Sequence, residues 1–216
     1  MLEEGYWYGL PPLLITGGLL GFWFREGGSF LLVGALLFLA LTVLILNFFR
    51  DPDRPIPTQA EAIISPADGR VVQAVREIYQ DREVWRVSIF MSPLDVHVNR
   101  APIAGVIKEV SYRKGAFRVA STEAASVENE QNVFLLEGAQ GCVVVKQIAG
   151  ILARRIVFWK RPGDSLERGE RVGFIKFGSR VDVLMEPDVA LKVKVGDRVR
   201  AGSSILGTSH LEAETQ

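Results

Sequence analysis

Cysteine is almost absent: the 216 residues hold one, Cys142. A lone cysteine excludes an internal disulfide framework and a cysteine-rich zinc site. Histidine is nearly as scarce. His97 and His210 stand far apart, without His-Glu-x-x-His spacing, and no metal is expected. Net charge is missing too, since 25 basic side chains balance 25 acidic ones. A chain without a basic surplus is not built to neutralise phosphates, so no nucleic-acid partner is expected. One stretch nearly lacks charge of either sign. Residues 1–49 carry only Glu3, Glu4, Arg25 and Glu26, and the other 46 charges lie in residues 50–216. That division points to a membrane segment joined to a soluble domain.

Two uncharged runs flank Arg25-Glu26: Gly5 to Phe24, 20 residues, and Gly27 to Phe49, 23 residues. The second is almost wholly Phe, Leu, Val, Ala and Ile from Phe30 onward. Twenty helical residues span about 30 Å, the hydrocarbon thickness of a bilayer, so this run reads as a transmembrane helix. The first run is weaker. Pro11-Pro12 suits a helix start, which leaves Leu13 to Phe24 as about 18 Å of helix, loosened by Gly17, Gly18 and Gly21. An acidic start without a basic n-region argues against a removable signal peptide. A helical hairpin turning at residues 25–28 is the preferred reading; one span plus an interfacial piece is the alternative. Arg50 and Arg54 follow the second span, and the positive-inside rule then puts the soluble domain on the cytoplasmic face of the cell membrane.

The organisation that follows is a membrane anchor over 1–49, a Pro-rich linker over 50–58, a soluble domain over 59–209 and a polar tail over 210–216. The soluble domain reads as short β-rich runs between turn signals. Strands are expected at Ile63-Ile64, Val71 to Val75, Val84 to Phe90, Gly105 to Tyr112, Asn132 to Leu136 and Cys142 to Ile148. Further ones are expected at Arg155 to Trp159, Gly173 to Phe177, Val181 to Met185 and Ala190 to Val195. The best helical candidate is a short piece at Ser121 to Asn129. A mainly β, antiparallel, barrel-like domain results, with α+β as the variant. Two internal echoes sharpen it. Pro66-Ala67-Asp68-Gly69 and Pro102-Ile103-Ala104-Gly105 share Pro-x-x-Gly. Residues 163–169 and 196–202 share Gly-Asp-x-(Leu/Val)-x-x-Gly. Common turns explain each echo alone; together they suggest two related halves. The pattern is similar to biotinyl and lipoyl carrier domains, without the Met-Lys-Met-like lysine that such carriers modify.

Three places could carry chemistry. A Gly178-Ser179 pair lies between two apolar strands, where a plain bulge is the simplest account. It lacks the Gly-x-Ser-x-Gly spacing of a hydrolase nucleophile elbow. His97 follows an apolar strand and has a side chain suited to general acid or base work, or simply to burial. Asp68 precedes Gly69 as a turn residue would, and could instead orient a histidine. Cys142 sits among valines and reads as core. His210 reads as solvated.

Four segments in register change this picture. Residues 48–54 (Phe-Phe-Arg-Asp-Pro-Asp-Arg), Ser65-Pro66-Ala67-Asp68-Gly69, Ser92-Pro93-Leu94-Asp95-Val96-His97 and Phe177-Gly178-Ser179-Arg180-Val181-Asp182-Val183 resemble the phosphatidylserine decarboxylase family. The short layout with a membrane anchor resembles its compact bacterial and archaeal branch. The resemblance implies a zymogen that makes its own covalent cofactor, a pyruvoyl group, and uses no metal. Ser179 would attack the Gly178 carbonyl, forming an ester. Elimination would end one chain at Gly178 and leave dehydroalanine, which hydrolyses to pyruvoyl with loss of ammonia. His97 and Asp68 are the positions that match the family's base and its carboxylate. The mature enzyme would decarboxylate phosphatidylserine to phosphatidylethanolamine through a Schiff base, in phospholipid biosynthesis. Its partners would be the membrane, the phospholipid, its own two cleaved chains and a further copy of itself.

Many members of the family carry a second histidine where this chain has Arg100. His97 would then serve both steps, or Asp95 or another residue one of them, and Arg100 is a candidate for binding substrate phosphate or carboxylate. Two alternatives stand beside this reading. One is the same reaction on an ether-linked archaeal serine lipid; the other is a membrane-anchored, lipoyl-like scaffold in which Ser179 stays uncut.

Overall fold

The computed structural model describes residues 1–115, 129–150, 155–176 and 179–209. The helical candidate at Ser121 to Asn129 lies outside them except for Asn129, and so do Gly178 and His210. Two compact units result, Met1–Pro52 and Asp53–Gln216.

The first unit is two helices, α1 (Glu3–Glu26) and α2 (Ser29–Phe48), joined at Gly27 and Gly28 with φ of 70° and 95°. Glycine takes this left-handed backbone without a Cβ clash. The expected helix start at Pro11-Pro12 is corrected: α1 begins eight residues earlier and carries both prolines inside it. The prolines remove the N–H groups due to Trp7 and Tyr8. Packing on the end of α2 compensates, because the Leu2 N–H donates to the Phe49 carbonyl at 3.0 Å and Tyr8 stacks on Phe49 at 5.6 Å. Tertiary contact, more than propensity, decides where such a helix begins. Among the described residues, Ser29–Phe48 is the one helix long and apolar enough to cross a membrane.

The second unit is mostly antiparallel β. Its strands are β1 (Ala62–Ile64), β2 (Gly69–Tyr79), β3 (Arg82–Met91), β4 (Val98–Arg100), β5 (Gly105–Arg113), β6 (Gln131–Gly138) and β7 (Gly141–Ala149). They continue as β8 (Ile156–Phe158), β9 (Ser165–Leu166), β10 (Arg171–Ile175), β11 (Ser179–Met185), β12 (Ala190–Leu191), β13 (Arg198–Val199) and β14 (Ile205–Thr208). Eight form a curled half-barrel sheet in the order β13-β2-β3-β11-β7-β6-β5-β9. Two three-stranded sheets, β1-β14-β12 and β4-β10-β8, supply the other side of the core. Val71, Ile89, Val145, Val181 and Phe134 from the large sheet pack with Ile63, Val172 and Leu206 from the small ones.

The expected strand over Ala190 to Val195 shrinks to Ala190–Leu191, because the chain turns at Val195-Gly196, where Gly196 has φ of 98°. Cys142 is also corrected. Alternation along β7 sends Val143 and Val145 into the core and puts Cys142, half-buried, on the opposite face with Val144.

The two Gly-Asp turns close in the same way. The Gly163 N–H donates to the Ile107 carbonyl and the Gly196 N–H to the Val71 carbonyl, both at 2.8 Å. Asp164 accepts from the Arg161 N–H at 2.8 Å, and Asp197 from the Lys194 N–H at 2.9 Å. The Pro-x-x-Gly segments bond crosswise: Ile64 N–H to the Pro102 carbonyl and Arg100 N–H to the Pro66 carbonyl, each at 2.9 Å.

Candidate active site

Ser179 opens β11, a strand hydrogen-bonded on both sides. It pairs with Met91 at the end of β3 and Ala149 at the end of β7. Period-two alternation turns its side chain to the core face with Val181 and Val183, and it is fully buried. Its hydroxyl donates to the Met91 Sδ at 3.4 Å. The next residue, Arg180, points to the other face and is also fully buried. Its guanidinium donates to both carboxylate oxygens of Asp182, at 2.6 and 3.1 Å, and to Ser88 Oγ at 2.8 Å and Gln73 Oε1 at 2.9 Å. A buried ion pair with its remaining donors satisfied holds the start of β11 in one position.

His97 ends the turn that leads from β3 to β4, and it is buried. Its Nδ1 lies 2.9 Å from the Asp95 carbonyl oxygen. A carbonyl only accepts, so Nδ1 is the donor in this contact. The turn itself is pinned by Asp95, whose carboxylate accepts from the Ser92 N–H at 2.8 Å.

Asp68 lies in the loop before β2. Its Oδ2 accepts from Arg54 Nη2 at 2.7 Å and its Oδ1 from the Ala201 N–H at 2.8 Å. Burial raises its pKa, against the pull of the Ala201 N–H and the Arg54 charge. No hydrogen bond joins the side chains of Ser179, His97 and Asp68 to one another among the described residues. Their segments do converge. Met91, beside Ser179, receives the Asn99 amide at 3.9 Å, two residues past His97, and the same amide reaches the Pro66 carbonyl at 3.5 Å, two residues before Asp68.

That amide belongs to a buried chain that the sequence reading missed. Gln147 Nε2 donates to Asn99 Oδ1 at 2.8 Å, and Asn132 Nδ2 to Gln147 Oε1 at 2.9 Å. A signal was present: Gln147 interrupts the inward apolar series Val143, Val145, Ala149. Buried amides are tolerated when they satisfy one another, and this chain fixes the wall beside Ser179. Arg100 is buried as well and donates to the Gly169 carbonyl at 3.1 Å. With Arg54, Arg168 and Arg171 it lines an open groove of about 790 Å³.

A model of the phosphatidylserine decarboxylase family matches residues 41–207. The chain belongs to that family. The match takes in all four segments through which the sequence resembles the family. A phosphatidylserine decarboxylase proenzyme of Solibacter usitatus is 54% identical over 161 residues, covering 74% of this chain and 76% of the relative. A proenzyme of the same name from Syntrophotalea carbinolica is 49% identical over 179 residues, covering 81% and 84%. That of Paraburkholderia phymatum is 42% identical over 200 residues, covering 84% and 94%. Within this decarboxylase family, the chain presents Ser179 as a buried hydroxyl next to a strand-locking ion pair, and His97 as a buried imidazole in the turn that follows β3.

Proposed function

We propose that the chain is a proenzyme that cleaves itself between Gly178 and Ser179 and then decarboxylates phosphatidylserine to phosphatidylethanolamine. The observation that carries this reading is the setting of Ser179. Its hydroxyl is dry, it opens a central strand, and it lies in a chain whose relatives are named as proenzymes. A strand held on both sides by β3 and β7 keeps its place after the chain is cut, so the new terminus stays in the site.

The residues around Ser179 fit a pyruvoyl group made from it. Met91 and Ala149 exclude water, and the Asn99 and Gln147 amides add polar lining to the same wall. Such a group supplies the ketone that takes up the electron pair left when carbon dioxide departs. His97 accepts the Ser179 proton during cleavage and returns a proton to the substrate carbon afterwards. Asp68 is the carboxylate that supports the histidine turn electrostatically, with Arg54 holding it in place. Arg100 binds the anionic end of the substrate in the arginine-lined groove.

The matched Gly-Asp turns and crosswise Pro-x-x-Gly bonds support a core of two lipoyl-like halves. Helix α2, with α1 beside it, anchors the enzyme as a membrane hairpin, and Arg50 and Arg54 support a cytoplasmic catalytic domain.

Intact mass of the purified protein tests the proposal. Two chains are expected, the smaller covering the 38 residues 179–216 and lighter by one ammonia than a chain starting with serine. Ser179→Ala should give one full-length chain without activity. A cut and active Ser179→Ala protein overturns the assignment, and a single uncut wild-type chain favours the scaffold reading. His97→Ala should slow cleavage, decarboxylation or both by at least about 100-fold, the usual weight of a general acid or base; normal rates of both remove His97 from the mechanism.

A further inference from the structure

Residues 192–200 read Lys-Val-Lys-Val-Gly-Asp-Arg-Val-Arg, four cations against one acid. Lys192, Lys194, Arg198 and Arg200 are all exposed. The acids nearby are engaged within the fold. Asp197 caps the Lys194 N–H at 2.9 Å, and Asp95 pairs with Arg198 at 3.6 Å. That second contact ties this segment to the Ser92–Asp95 turn. Each of the two turns carries a large apolar side chain in water: Leu94 is 63% exposed and Val195 59%. Core packing demands neither.

The position of this rim is set by the sheet. Arg198 on β13 pairs with Arg70 on β2, Arg70 with Phe90 on β3, and Phe90 with Arg180 on β11. The row ends one residue from Ser179. Three interstrand steps make roughly 14 Å.

We infer that the Ser92–Asp95 turn and residues 192–200 form the face by which the catalytic domain docks on an anionic phospholipid surface. Leu94 and Val195 enter the boundary between headgroups and acyl chains, and Lys192, Lys194 and Arg200, with Arg198 held at Asp95, meet the phosphates and serine carboxylates around them. Alternating apolar and cationic side chains on an exposed rim match that boundary, which a protein partner or free phosphate would not require. Docking there brings the headgroup to the end of the sheet where Ser179 lies. The inference builds on the phospholipid substrate proposed above.

The test uses full-length, self-cleaved protein in vesicles of phosphatidylserine and phosphatidylcholine. The fluorescence added by Val195→Trp should be quenched by phospholipids brominated on their acyl chains; no added quenching overturns the inference. Lys192→Gln/Lys194→Gln should raise the apparent KM for bilayer phosphatidylserine about 25-fold, fivefold for each cation. The same variant should keep its kcat, and should act like the parent on a short-chain, monomeric phosphatidylserine. An unchanged KM on bilayers, or an equal loss on both substrates, overturns the inference. If the parent protein decarboxylates neither lipid, the functional reading fails instead, and the tryptophan result still decides the docking face.

Discussion

At Asp68 two demands compete. Burial disfavours the carboxylate, while the Ala201 N–H and the Arg54 guanidinium favour it, and burial prevails, leaving the pKa raised. The folded chain therefore holds this proton more tightly than the unfolded chain does. The stability that the group contributes is present at low pH and declines as pH rises from the ordinary carboxylate range through the raised value. Asp68→Asn should flatten that decline, so that denaturation midpoints change less between about pH 4 and pH 7 than in the parent. An unchanged profile would assign the decline to other groups. Arg180 is held by four hydrogen bonds to described residues, and these bonds fix the start of β11.

At the scale of elements, β11 joins the two properties the site needs. Its inward residues build the core and end at Ser179; its outward residues Arg180 and Asp182 lock the same end from behind. The two Gly-Asp turns are the other recurring element. Gly163 and Gly196 have φ of 94° and 98°, and a Cβ at either would meet open space. Only backbone conformation resists a side chain there. Gly163→Ala and Gly196→Ala should each cost about 1–2 kcal/mol, by matching amounts, in chemical denaturation. Clearly unequal costs would argue that the turns are alike in sequence but not in energetics. Both turns were legible as a repeated motif, since a Gly-Asp pair encodes its own local geometry. That they clasp Ile107 and Val71 was not legible, because those partners lie far along the chain.

For the whole molecule, the division of charge between residues 1–49 and the rest carries the largest consequence. Helix α2 presents almost nothing polar along its 20 residues. The full chain should stay with membranes through alkaline carbonate washing, and a chain lacking residues 1–49 should lose that resistance. Release of the full chain by carbonate would sink the anchor. The catalytic domain would then depend on its cationic rim alone, and a surface held by charge loosens in salt.

Local patterns determined much of this protein. β-rich runs between turn signals marked nearly every long strand of the sheet, hydropathy marked α2, and the four motifs in register marked the family and the candidate Ser179. These signals act over a few residues, so one chain carries them openly. Tertiary structure alone decided what the side chains touch. It ran α1 through Pro11 and Pro12 because the end of α2 packs there, and it turned Cys142 out of the core by strand phase. It gave Asp68 to Arg54 and Ala201, and it drew Asn99, Gln147 and Asn132 into one buried chain. A buried polar group must find a partner wherever the fold brings one, and segments 48 or 133 residues apart in sequence supply it.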